Sequence, residues 1–146
     1  KLKLSTTKSI VKNKIIILID DSLVRGTTCL KIVKMLYEAG AKEVHVRIAC
    51  PEIKFPDFYG VDMPTKKELL ANQRSNDEIC KYIDAKTLKF LSLEGLYEAL
   101  EKGKRNNAYP QFSDHYFTGD YPVKPSDNLG EEKIKQLSLL SSKSNN

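Results

Sequence analysis

The chain has 146 residues, 40% of them hydrophobic, which suits one domain of ordinary size. Its net charge of +5 comes from 24 Lys and Arg against 19 Asp and Glu, but only four are Arg and these are scattered, so nucleic-acid binding is not expected. Three cysteines without C-x-x-C spacing, and no apolar run of membrane-spanning length, predict a cytoplasmic protein with neither disulfides nor a membrane span.

The first predicted elements form a strand, a helix and a second strand. Residues 14–19, KIIILI, are a continuous run rich in β-branched side chains, which predicts a strand buried on both faces of a parallel sheet. A loop at residues 22–28 leads into a helical pattern that ends near Ala39, before Gly40. Residues 43–49 alternate as a half-buried strand does, so the order predicts a βαβ unit with parallel strands.

The rest of the chain predicts shorter elements. Prolines and aromatic residues make 51–64 an irregular loop. Capping-box patterns predict short helices at 65–72 and 75–83, followed by a short strand at 88–91 and a helix at 92–102. We therefore divide the chain into residues 1–103, a partial α/β domain, and residues 104–146, an irregular extension that is expected to be disordered after about residue 130.

The loop that follows the first strand has the composition of a phosphate site. Its backbone amides, together with those of the helix start, lie at the carboxyl edge of the sheet, where they favour an anion. Gly26 permits close approach of the backbone, and hydroxyl donors flank it. Asp20 and Asp21 would repel phosphate, but they suit ribose hydroxyls or Mg²⁺. A sugar phosphate with a free diol satisfies both requirements.

The stretch DDSLVRGTT resembles the signature of type I phosphoribosyltransferases and, among them, of glutamine phosphoribosylpyrophosphate amidotransferases. Residues 38–71, 91–100 and 117–122 are similar to the same family. The resemblance implies part of a type I phosphoribosyltransferase parallel sheet flanked by helices, with a C-terminal helical and irregular extension. It implies that Asp20 and Asp21 hold the ribose hydroxyls and Mg²⁺. The implied phosphate loop consists of Ser22, Leu23, Val24, Arg25, Gly26, Thr27 and Thr28.

The resemblance also implies a reaction and its partners. In the family, glutamine-derived ammonia displaces pyrophosphate from phosphoribosyl pyrophosphate, which gives phosphoribosylamine in the first committed step of purine synthesis. Lys3 resembles the end of the family's flexible catalytic loop. The glutaminase domain and the first part of the transferase domain have no counterpart here, so we expect the chain to be inactive without them. The complete enzyme is expected to be a homo-oligomer.

Some members of this family carry an iron–sulfur cluster on four cysteines. Positions that match three of those cysteines are Asp57, Ser113 and Tyr116 in this chain. We therefore expect no cluster.

Three other interpretations remain open from the sequence. Another type I phosphoribosyltransferase would share the loop. A signalling receiver domain also begins with a strand that ends in an acid pair, and Asp62 would stand for its phosphate acceptor. A non-catalytic fragment that needs a partner chain is the third.

Overall fold

The computed structural model describes residues 8–60, 65–101 and 103–123. The predicted helices and strands are present in the predicted order, with shifted ends. The described elements, including two short helices that were not predicted (α1 and α6), are α1 (Lys8–Val11), β1 (Ile15–Asp20), α2 (Thr27–Glu38), β2 (Glu43–Ile48), a 3-10 helix (Lys66–Glu68), α3 (Leu70–Gln73), α4 (Asn76–Tyr82), β3 (Thr87–Phe90), α5 (Leu93–Ala99) and α6 (His115–Thr118). No described helix is long and apolar enough to cross a membrane.

The three described strands form one parallel sheet in the order β1-β2-β3. Ile15 pairs with Glu43 and Asp20 with Ile48, so β1 and β2 end at the same edge of the sheet. One further hydrogen bond extends the pairing, from the Ala49 amide to the Asp20 carbonyl at 2.9 Å. The loops that follow both strands therefore leave the sheet side by side, and the first of them carries the predicted site.

One face of the sheet carries the hydrophobic core. Val44, Val46 and Ile48 alternate along β2 and are at most 3% exposed. Helices α2 and α4 contribute to the same core cluster, with Val33 and Ile79 fully buried. This packing of helices on parallel strands is the predicted α/β arrangement, and the core fixes α2 directly behind the loop.

The opposite face of β1 differs from its prediction. Ile15, Ile17 and Ile19 are 58%, 62% and 72% exposed, although the sequence predicted a strand buried on both faces. Among the described residues β1 is an edge strand, paired only with β2, and no described element covers these three side chains. A continuous apolar run of this kind is typical of a strand buried on two faces. The described residues pack against only one face of β1, the face with Ile16 and Leu18.

The segment between the second and third strands follows the predicted capping boxes. At Thr65 and Ser75 the side chain and amide pair with a glutamate three residues later, Glu68 and Glu78. The first predicted helix is divided, because Leu69 has extended backbone angles of φ −73° and ψ 112° between the 3-10 helix and α3. The second is the continuous helix α4.

Residues 103–123 pack against the loop that follows β2. The amides of Lys54 and Phe55 both donate to the Tyr116 carbonyl, at 2.9 and 3.1 Å. The Tyr121 hydroxyl donates to the Pro56 carbonyl at 2.9 Å. Helix α6, in this segment, was not predicted, because one turn is too short to show a helical period. The residues predicted to be disordered after about residue 130 lie outside the described part.

Candidate phosphate-binding site

The candidate site is a cleft of about 330 Å³ where β1 gives way to α2. Its lining runs without a break from the end of the strand into the first turn of the helix. Residues 22–26 are neither helix nor strand. The lining residues are Asp20, Asp21, Ser22, Leu23, Val24, Arg25, Gly26, Thr27, Thr28 and Cys29. The structure thus brings together all the residues predicted for the loop and the acid pair, whereas Lys3 lies outside the described residues.

Gly26 sets the turn from the loop into the helix. Its backbone is left-handed, with φ 72° and ψ −7°, a region that glycine enters without steric cost. A Cβ at this position would lie 2.6 Å from Leu70 Cδ2 and 3.1 Å from Tyr82 Cε1. Both the backbone angle and the close wall behind it therefore require glycine.

The start of α2 offers backbone donors to the cleft. Its N-cap is Gly26, which has no side chain with which to cap the helix. The first amides of an α-helix have no partner within the helix, and the helix dipole makes this end partially positive. Thr27 and Thr28, both exposed, add hydroxyl groups at the same point. An anion held here would receive backbone and side-chain hydrogen bonds together.

The two acids stand at the strand side of the cleft. Asp20 Oδ1 accepts a hydrogen bond from the Asp21 amide at 3.0 Å, and Asp21 Oδ1 accepts one from the Ser22 hydroxyl at 2.8 Å. Ser22 therefore orients a carboxylate in this structure, whereas the sequence suggested it as a phosphate donor. Each carboxylate keeps acceptor capacity for a diol or a hard cation.

The remaining loop side chains hold the loop to the protein. Leu23 is 2% exposed and belongs to the hydrophobic core, so only its backbone is available to a ligand. The Val24 carbonyl accepts a hydrogen bond from the Leu70 amide at 3.0 Å. Arg25 forms an ion pair with Glu68, with 3.0 Å between Nη2 and Oε1.

Two thiols lie close to the acid pair. Burial, and to a lesser extent the charge of Asp20, raises the pKa of Cys29 from 9.0 to about 11. Burial and the charge of Asp21 raise the pKa of Cys50 by the same amount, to about 11. Both groups are therefore neutral thiols at physiological pH and poor nucleophiles.

The donor chemistry of the acid pair fits a magnesium ion. Mg²⁺ is commonly bound through one or two carboxylates plus substrate phosphates, and keeps several waters. Asp20 and Asp21 supply such carboxylates. The described residues contain no group of three or more His, Cys, Asp and Glu side chains that could hold a metal on their own.

A second polar cluster was not predicted from the sequence. His115 Nε2 lies 2.9 Å from Asp57 Oδ1, and both side chains are 1% exposed. Ser113 Oγ lies 3.1 Å from His115 Nδ1, and the Tyr59 amide donates to Asp57 Oδ2 at 2.9 Å. The Tyr116 ring stacks on the imidazole, with ring centroids 4.0 Å apart. Asp57 and His115 are 58 residues apart, so no local spacing marked the pair.

This cluster contains the three residues at the family's iron–sulfur positions. Asp57, Ser113 and Tyr116 offer oxygen atoms, whereas such clusters are held by cysteine thiolates. The Asp57 carboxylate and the Ser113 hydroxyl are also engaged in the hydrogen bonds just described. These residues therefore do not fit an iron–sulfur cluster.

The receiver-domain interpretation requires a second acid at the same edge. Asp62, its candidate phosphate acceptor, lies outside the described residues.

The parallel sheet and the acid-pair loop before α2 define the class as type I phosphoribosyltransferase-like α/β, and the solved structures agree. A glutamine phosphoribosylpyrophosphate amidotransferase from B. subtilis, complexed with ADP and GMP, superposes with a TM-score of 0.78 at 44% identity, over 88% of this chain and 28% of that one. A structure described as the allosteric regulatory enzyme of purine biosynthesis gives a TM-score of 0.77 at 45% identity, over 88% of this chain and 27% of the other. No protein-family model matches the chain.

The curated relatives are amidophosphoribosyltransferases. That of Rhizobium etli is 54% identical over 97% of this chain and 29% of its own length. That of Staphylococcus aureus is 51% identical over 84% and 25%, and chloroplastic amidophosphoribosyltransferase 2 of Arabidopsis thaliana is 48% identical over 93% and 23%. The chain is homologous to the C-terminal portion of amidophosphoribosyltransferases, and it spans less than a third of the length of these relatives.

Proposed function

We propose that this chain supplies the phosphoribosyl-pyrophosphate site of an amidophosphoribosyltransferase, in the first committed step of purine synthesis. One observation carries the proposal: the acid pair, the loop and the first turn of α2 line the same cleft. The cleft pairs a recognition element for phosphate with one for a diol. The homology of the chain to amidophosphoribosyltransferases supports phosphoribosyl pyrophosphate as the sugar phosphate that carries both.

In the proposed complex each part of the cleft holds one part of the substrate. The amides of the loop and of the α2 start, with Thr27 and Thr28, bind the 5-phosphate. Asp20 and Asp21 accept hydrogen bonds from the ribose hydroxyls. Ammonia then attacks the anomeric carbon, the bond to pyrophosphate breaks, and phosphoribosylamine forms. The contribution of these residues is to position the sugar, which alone can lower a barrier by several kcal/mol, on the order of 7 or more.

The acid pair would also hold Mg²⁺. When bound, the ion neutralises negative charge on the pyrophosphate that leaves. Asp20 and Asp21 are the described residues placed to hold it, either directly or through water. We therefore expect binding of the substrate to depend on both the metal and the carboxylates.

The proposed activity needs further portions of the enzyme, and the relatives are more than three times as long as the stretch matched here. We propose that a glutaminase portion supplies ammonia and that the remaining transferase portion grips pyrophosphate, in a homo-oligomeric cytoplasmic enzyme. On this proposal the 146-residue chain alone releases little or no pyrophosphate from phosphoribosyl pyrophosphate with ammonium as nitrogen donor. Robust turnover in a coupled pyrophosphate assay would contradict it.

The test of the binding site is calorimetric titration of the full chain with phosphoribosyl pyrophosphate, with and without Mg²⁺. We expect weak binding that requires the metal, and a loss of about tenfold or more in affinity for Asp21→Asn, because hydrogen bonds to a charged group are worth roughly 1.5–3 kcal/mol. Asp84→Asn is the control, since Asp84 is an exposed aspartate after α4 and outside the cleft. Equal affinity for wild type and Asp21→Asn would remove the acid pair from the site.

A further inference from the structure

We propose that Glu68 is a positioning residue for the phosphate-binding loop, which it holds through Arg25. The inference rests on the proposed function for its consequence, but the contacts that carry it are independent of any ligand. Glu68 is 43 residues from Arg25 in sequence and belongs to the 3-10 helix.

Glu68 joins the loop to a helix cap by using both carboxylate oxygens. Oε1 accepts hydrogen bonds from Arg25 Nε at 3.2 Å and from Arg25 Nη2 at 3.0 Å. Oε2 accepts from the Thr65 amide at 3.2 Å and from the Thr65 hydroxyl at 3.1 Å. These bonds, that to Arg25 first among them, lower the pKa of Glu68 below its usual value. The carboxylate is thus charged and held from two sides.

Leu70, in the same short segment, makes two further contacts behind the loop. The Leu70 amide donates to the Val24 carbonyl at 3.0 Å. The Leu70 side chain forms the wall against Gly26, since a Cβ on Gly26 would lie 2.6 Å from Leu70 Cδ2. Residues 68–70 therefore contact the consecutive loop residues 24, 25 and 26. Among these contacts, the one made by Glu68 is an ion pair.

Contacts that hold the loop in place affect ligand binding through the conformational entropy of the loop. Residues 22–26 have no regular structure of their own, so every contact that fixes them before the phosphate arrives reduces the entropy that binding must remove. The Arg25 and Glu68 side chains are 55% and 47% exposed, and ion pairs this exposed contribute little because solvent screens them. We therefore expect a change of roughly two- to fivefold in affinity rather than a loss of binding.

The chain contains a matched control. Glu78 makes the same capping box with Ser75 on α4, with Oε2 2.8 Å from both the Ser75 amide and its hydroxyl. Glu78 is also exposed, and its pKa is lowered chiefly by its hydrogen bonds to Ser75. Its side chain is not hydrogen-bonded to the phosphate loop among the described contacts. Glu78→Gln therefore removes a similar charge at the same kind of capping box without touching the loop.

The experiment compares Glu68→Gln with Glu78→Gln in the full chain. We expect Glu68→Gln to weaken the binding of phosphoribosyl pyrophosphate with Mg²⁺ by roughly two- to fivefold and to speed hydrogen exchange at the Leu70 amide, which donates to the Val24 carbonyl of the loop. Glu78→Gln should leave both unchanged. In an Arg25→Gln background, Glu68→Gln should have no further effect on either measurement.

Several outcomes would overturn the proposal. Unchanged exchange at the Leu70 amide in Glu68→Gln, an equal change in Glu78→Gln, or a full effect of Glu68→Gln in the absence of Arg25 would each do so. The exchange measurement needs no ligand. If wild type fails to bind phosphoribosyl pyrophosphate, the proposed function is wrong, while the role of Glu68 in holding the loop is still decided by exchange.

Discussion

Gly26 combines two demands that a single residue rarely meets together. Its φ of 72° disfavours any side chain, and the space where a Cβ would go is closed by Leu70 and Tyr82. At Gly26 the backbone of the loop lies close to Leu70 and Tyr82, and helix α2 begins at the next residue. The sequence predicted close approach of the backbone at this glycine, and the structure also crowds it against Leu70 and Tyr82.

Replacement of Gly26 by alanine should therefore cost more than backbone strain. We expect Gly26→Ala to lower the free energy of unfolding by more than the roughly 1–2 kcal/mol of a left-handed residue, and to abolish measurable phosphoribosyl-pyrophosphate binding. Gly103→Ala is the control: its φ is 65° and no atom lies within 4 Å of the added Cβ. Urea unfolding of both variants decides the point, and equal losses would mean that the close wall contributes nothing.

The raised thiol pKa values give a pH prediction at the same scale. With both pKa values near 11 instead of 9.0, the thiolate fraction of Cys29 and Cys50 at pH 8 should be about a hundredfold lower than in the unfolded chain. Alkylation by iodoacetamide should be slow at pH 8 and should accelerate as pH rises towards 11. Site-resolved mass spectrometry, with the urea-unfolded chain as reference, measures this.

The same shifts affect stability with a defined sign. Because the folded state holds these two protons more tightly than the unfolded state, the contribution of the two thiols to stability is complete below pH 9 and is lost as pH rises from about 9 to about 11.

In the alkylation experiment, equal rates for the folded and unfolded chains at pH 8 would contradict the assigned burial of the thiols.

Among the elements, the short helix α6 and the loop after β2 are joined through Asp57 and His115. The chain has a second histidine–carboxylate pair, His45 with Glu43 on β2, whose nitrogen and oxygen are 3.2 Å apart. The first pair is 1% exposed on both sides, and the second is 19% and 33% exposed. A comparison of the two pairs therefore tests how burial changes the contribution of a histidine–carboxylate contact to stability.

We expect Asp57→Asn to destabilise the fold by about 1 to 3 kcal/mol, since both Asp57 carboxylate oxygens are engaged in hydrogen bonds and the side chain is 1% exposed. Glu43→Gln, the more exposed counterpart, should cost less than about 1 kcal/mol. Denaturant unfolding followed by circular dichroism provides both values. A loss below about 1 kcal/mol for Asp57→Asn would show that this pair does not hold residues 103–123 in place.

The elements also show where sequence reasoning succeeds. Ser75 and Glu78 satisfy each other across three residues, so their capping box and helix α4 follow from local sequence. The order of strand, phosphate loop and helix likewise follows from the apolar run and its abrupt end at Asp20. Helix α6 and the Asp57–His115 pair depend on contacts between distant segments, which local patterns do not record. The Arg25–Glu68 pair was missed for the same reason.

At the scale of the whole molecule, the exposed isoleucines of β1 are the main departure from the sequence prediction. Parallel sheets are ordinarily covered on both faces, and an uncovered edge strand is a site for pairing with another chain. The other face of β1, with Ile16 and Leu18, is half-buried against the core. Which face is covered depends on what packs beside the strand, and that information is not in the six residues.

We expect the isolated chain to self-associate through this strand. Ile17→Lys places a charge at the middle of the exposed row and should favour the monomer, while changing the unfolding free energy by less than about 1 kcal/mol because the side chain is 62% exposed. Leu100→Lys is the control, since Leu100 is 46% exposed and lies after α5. Sedimentation velocity at several concentrations tests this, and association of Ile17→Lys equal to that of wild type would contradict it.

The strand order β1-β2-β3 has a consequence for biosynthesis. Because neighbours in the sheet are also successive in the chain, each strand that leaves the ribosome meets a partner that has already been made. The β1–α2–β2 unit, with its turn at Gly26, can assemble before residues 103–123 have been translated. Seating His115 beside Asp57 then comes last, so a nascent chain whose first 100 residues have left the ribosome should already display a protease-resistant cleft at Gly26, before helix α6 has packed.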